Sequence, residues 1–104
     1  MYCAICGSEI NEVIVCDVVR INENYFYEEI VSPVLYSEKL NMRTGEIFDY
    51  DFYKKAVAKK HDCKPEDVTS KYVDDMEVTA DVYAKLGKKD KDMGCRCPVC
   101  EDFV

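Results

Sequence analysis

Cysteines occur as two matched pairs near opposite ends of the chain, Cys3-Ala4-Ile5-Cys6-Gly7 and Cys97-Pro98-Val99-Cys100, with 90 residues between Cys6 and Cys97. A Cys-x-x-Cys turn offers two thiolates to one ion, and two such turns complete a tetrahedral shell of four sulfurs. Such a shell leaves no open coordination position, which is the structural rather than the catalytic arrangement. The expected ligands are Cys3, Cys6, Cys97 and Cys100, and the expected ion is zinc. Iron accepts the same four sulfurs. Cys95-Arg96-Cys97 places a third thiol beside the second pair, so Cys95 is a possible substitute ligand. Cys16 and Cys63 read as ordinary small core or surface residues.

Other chemistry is hard to build. The chain has one histidine, His61, and it has no nucleophile at a recognisable spacing. It reads as a helix-end residue interacting with the last carbonyls. No glycine-rich phosphate loop is present. Asp74 and Asp75 are adjacent and, on a helix, point apart. The expectation is a protein without catalytic activity.

The elements that must position the cysteines follow from periodicity. The chain has 104 residues, consistent with a single domain: end segments 1–10 and 93–104 around an inserted body, 11–92. Glu12–Ile21 alternates as a strand with few polar interruptions, which predicts a central position. Asn22-Glu23-Asn24 is a turn signal, Tyr25–Val31 a second strand, and Ser32-Pro33 a break or bend. Val34–Leu40 reads as a third strand, residues 41–45 as a turn and Glu46–Phe48 as a short fourth, together an antiparallel meander. The pattern then becomes helical from Phe52 to Lys60, capped by Asp49 or Asp51. Pro65-Glu66-Asp67 opens a second helix that continues through Val68 and Tyr72. Thr79–Leu86 reads as a third, stopped by Gly87, although 76–86 also fits a strand. Lys88–Asp92 is a charged linker. The predicted class is α+β: a small antiparallel sheet, two to three helices packed on it, and the ends joined by a four-cysteine zinc knuckle pair.

The two cysteine turns resemble the knuckles of rubredoxin-like zinc ribbons. Cys3-Ala4-Ile5-Cys6-Gly7 is similar to the first and Cys97-Pro98-Val99-Cys100, followed by the apolar Phe103, to the second. The likeness covers about a dozen residues. Glu101 stands where glycine is usual, and the interval is far longer than in a typical ribbon. The resemblance implies a ligand role for Cys3, Cys6, Cys97 and Cys100.

Charge narrows the partner class. Net charge is −7. Residues 1–50 hold nine acids and three bases, net −6; residues 51–104 hold twelve acids and eleven bases, net −1. An acidic balance opposes sequence-independent binding to nucleic acid and favours a protein with a basic surface. Glu23, Glu28, Glu29, Glu38 and Glu46 lie among Tyr25, Tyr27 and Tyr36, a combination suited to protein contact. Small phage-made inhibitors are similar in size and charge. Scattered acids can also simply solvate a sheet edge. Two alternatives remain. A zinc-ribbon module could bind nucleic acid or the transcription machinery through Lys88, Lys89, Lys91 and Arg96. An iron-loaded site would make a rubredoxin-like electron carrier. No leader-like or membrane-spanning run is seen, so the expected location is cytoplasmic, and the CxxC spacing there reads as metal binding rather than disulfides. Nothing in the sequence fixes an oligomeric state.

Overall fold

A computed structural model describes residues 2–34 and 48–103. Among them, four antiparallel strands and two α-helices make a mixed α+β fold. The predicted third strand beyond Val34, its turn and most of the fourth strand fall in 35–47, outside the described residues, as do Tyr36 and Glu38.

The longest strand, β1 (Glu12–Ile21), pairs along its whole length with β2 (Asn24–Pro33). Asn22 and Glu23 form the two-residue connection, with φ of 48° and 68°. Two consecutive positive φ values are the signature of a type I′ turn, whose twist matches the flanking strands. Ser32-Pro33 does not break β2. The ladder runs on to Glu12↔Pro33, because proline at the last strand position forfeits no needed interior hydrogen bond.

The other edge of β1 is shared by two short strands. Near the far end, β3 (Thr69–Ser70) pairs with Val19 and Arg20; β4 (Gly94–Arg96) pairs with Ile14, Val15 and Cys16. β1 is therefore central, in keeping with its mostly apolar run, interrupted only by Asp17 and Arg20 after Glu12. A bridge between Val34 and Phe48 ties the chain leaving β2 to the chain approaching the first helix.

Helix α1 (Tyr50–Lys60) begins at Asp49, whose carboxylate accepts from the Phe52 amide at 3.1 Å. It buries Tyr53, Val57 and Ala58 against Val13, Val15, Val19 and Ile21 of β1. Phe52 faces outward instead. The second predicted helix is not formed. Pro65–Asp67 makes one 3-10 turn, and Val68 is already extended, leading into β3. Local helix signals there lose to an open ladder position on β1 and to burial of Val68. Helix α2 (Ala80–Leu86) follows Thr79 and ends at Gly87 in the left-handed region. It covers the opposite sheet face, where Val18, Tyr83 and Met93 are buried together with partly buried Tyr25, Tyr27 and Leu86. Residues 80–86 are thus helix rather than strand.

Two carboxylates are buried on the α1 face. Asp17 and Glu28 are direct cross-strand partners, and both are almost fully inaccessible. Like charges so placed repel, so each needs its own compensation. Glu28 is held by Lys60 (2.8 Å) and by the ring of His61, the residue that closes α1. Thus His61 engages a side-chain carboxylate. Asp17 accepts from the Tyr53 hydroxyl at 2.6 Å, the Ser70 hydroxyl and the Val18 amide at 2.8 Å. Burial nonetheless pushes the Asp17 carboxyl above its usual range.

Candidate metal centre

The sheet carries the two cysteine turns together. Residues 3–6 lie just before β1, and β4 delivers residues 97–100 by pairing with the start of the same strand. The Sγ atoms of Cys3, Cys6, Cys97 and Cys100 all lie within 4.8 Å of one another. Cys3–Cys100 and Cys6–Cys97 are each 3.8 Å apart. Two sulfurs on one tetrahedral ion with 2.3 Å bonds are separated by about 3.8 Å. A disulfide would need about 2.05 Å, and all seven cysteines are free thiols. Four close thiols of this geometry could hold one metal ion.

Hydrogen bonding repeats between the turns. In the first, the Gly7 amide donates to the Cys3 carbonyl and the Cys3 amide to the Ser8 carbonyl, both at 2.9 Å. In the second, Glu101 donates to Cys97 and Cys97 to Asp102, again at 2.9 Å. The Ile5 and Val99 amides point at the first sulfur of their own turn, each at 3.4 Å. Such N–H groups favour the thiolate that a metal requires. The Ser8 hydroxyl and amide hold the Cys6 thiol down at about 6. The Cys100 and Val99 amides lower Cys97 as well.

The repetition extends to strain. Gly7 has φ of 73°, and Glu101, its counterpart, has φ of 63°. The turn needs a left-handed residue at this point, and the second copy adopts it without glycine's freedom. The departure from the ribbon pattern at Glu101 is thus accommodated by backbone strain rather than by a different turn.

Cys95 lies apart from the four. It is paired with Val15 across β4 and β1, buried in the core, and burial pushes its thiol up to about 12. Cys16 is buried, and Cys63 packs partly against the α1-face core. Arg96 lies over the Phe103 ring, 5.0 Å from its centroid, and approaches Glu29 at 3.8 Å.

The residues expected to form a partner surface separate. Glu23 and Glu29 are exposed. Glu28 is a correction: it is 1% exposed and sequestered by Lys60 and His61. Tyr25 and Tyr27 pack partly buried under α2, and the Tyr27 hydroxyl donates to the Asp92 carbonyl at 3.1 Å. Glu28 sits on a buried register position that a chain-order reading does not reveal, since only pairing with Asp17 turns it toward α1. No helix among the described residues is long and apolar enough to cross a membrane. No protein-family model, curated protein or solved structure matches the chain.

Proposed function

We propose that Cys3, Cys6, Cys97 and Cys100 bind one structural zinc ion as a rubredoxin-like pair of zinc-ribbon knuckles, and that the stapled domain acts by binding rather than catalysis. Its partner is a protein with a basic surface, which it engages and thereby blocks. The observation that carries this reading is the 3.8 Å spacing of sulfurs drawn from two distant, hydrogen-bond-matched turns. A closed shell of four thiolates leaves no position for a substrate, which favours a staple. The net charge of −7 supports a basic partner. The nucleic-acid reading is weaker, because two of its cations are engaged internally: Lys88 over the Tyr27 ring and Arg96 over the Phe103 ring.

Native mass spectrometry of aerobically purified protein, beside a Cys97→Ser/Cys100→Ser variant, tests the centre. One zinc, absent from the variant, is expected. Iron with a red colour would make electron transfer the function, and no metal with oxidised cysteines would overturn the staple. Affinity capture, repeated at raised salt and with added DNA or RNA, tests the partner class. Salt-sensitive retention of a basic protein is expected; retention of nucleic acid alone would overturn it.

A further inference from the structure

A groove of about 860 Å³ opens beside α2, bounded by the irregular segment before the helix and the segment after it. It lies outside the acidic, tyrosine-rich residues that the sequence singled out for protein contact, and its rim includes Lys88 and Lys89. Its volume falls in the range of natural small-molecule sites, roughly 300–1,000 Å³. The apolar part of its lining is Met76, Val78, Ala80, Tyr83 and Ala84. Methionine and tyrosine supply adaptable and rigid contact area respectively.

The charges around it are unequal in availability. Lys71 is held by Asp90 at 3.2 Å, and Asp90 also accepts from the Tyr83 hydroxyl at 3.0 Å. Lys88 sits over the Tyr27 ring, 4.4 Å from its centroid. Asp75 and Glu77 are exposed, and neither takes part in an ion pair among the described residues. Only Lys89 opposes them as an exposed cation in the lining. Asp75 also holds a left-handed backbone, φ 55°, a conformation that costs energy in a residue other than glycine. Residues 76–79 belong to no helix or sheet ladder; the Met76 amide donates to the Ser70 carbonyl at 3.4 Å and the Thr79 carbonyl accepts from Val82 and Tyr83 of α2.

We infer that this groove is the docking site for a basic partner segment: an extended peptide whose apolar side chains rest on Met76, Val78, Tyr83 and Ala84 while flanking arginine or lysine meets Asp75 and Glu77. The inference rests on the proposed binding function and names its surface.

The test uses the metal-loaded full chain, uniformly ¹⁵N-labelled, titrated with the peptide Ac-Arg-Leu-Phe-Arg-NH₂ and its charge-reversed counterpart Ac-Glu-Leu-Phe-Glu-NH₂. The basic peptide is expected to shift the amides of Met76, Val78, Tyr83 and Ala84. Asp75→Asn/Glu77→Gln should weaken it about fivefold, the loss of two exposed ion pairs, and Ala84→Glu should abolish it. The double variant changes only exposed side chains, so it keeps the test decisive if Ala84→Glu disturbs the fold. Equal or tighter binding of the acidic peptide, shifts confined to other residues, or no shift at millimolar peptide would overturn the docking site. Should a captured basic protein be retained undiminished by the Asp75→Asn/Glu77→Gln variant, the groove assignment falls while the binding function stands.

Discussion

Breaking the cysteine cluster should cost far more than the loss of two side chains, because the proposed metal ion would close most of the chain into one ring. Cys6 and Cys97 are separated by 90 residues. Tethering residues so far apart removes unfolded-state entropy worth about 4 kcal/mol in a loop-closure model. For a domain near 100 residues, 1 kcal/mol moves the melting temperature by about 4–8 °C, so the shift is about 16–32 °C. Cys97→Ser/Cys100→Ser and Cys3→Ser/Cys6→Ser should each lose this amount in urea denaturation, as should wild type with chelator. Removing all four cysteines should cost no more than removing either pair, since a ring opened once cannot be opened again. Additive losses would refute the reasoning, showing that each turn stabilises itself and closes nothing. A loss below about 1 kcal/mol for either pair would do the same.

Buried Asp17 sets a pH dependence. Its folded pKa is raised by burial, so the folded state holds the proton more tightly than the unfolded chain does. Its contribution to stability is present in full below the unfolded value near 4 and is lost as pH rises through the folded value. Denaturation midpoints of Asp17→Asn should lack that falling segment, and superimposable profiles would contradict it. Tyr53→Phe removes a hydroxyl donated to Asp17 and should destabilise by about 1–3 kcal/mol, read by urea melts. Glu101→Gly should stabilise by about 0.5–1 kcal/mol by releasing left-handed strain, whereas Gly7→Ala should destabilise by about 1 kcal/mol; thermal melts of both test the equivalence of the turns. Gly94→Ala would place a Cβ 2.9 Å from the Phe103 ring at φ 144° and should cost about 1–3 kcal/mol, with the Phe103 aromatic resonances displaced.

Several elements were legible because their causes are local. β1 announces itself through a mostly apolar alternation, α1 through a capping aspartate at 49 or 51, and the end of α2 through Gly87. The four clustered cysteines were legible because two thiols in one tight turn have few other uses. Other features were hidden because their causes are distant in sequence. β3 and β4 are two and three residues long and carry no period; they exist because β1 has an open edge. Pro65 opens a 3-10 turn rather than a helix for the same reason. Glu28 has the composition of a surface residue, yet its register opposite Asp17 turns it into the α1 face. Cys97 was the expected ligand from its CxxC spacing, with Cys95 a possible substitute two residues away. Strand pairing puts Cys95 against Val15 in the core, while the turn after the strand presents Cys97 to Cys6. Ligand identity, acidic charge and the locally encoded elements were thus readable along the chain, since they depend on residue types and on neighbours a few positions apart. Which acids are buried and where an open groove lies came from folding in three dimensions, since those depend on which strands share an edge.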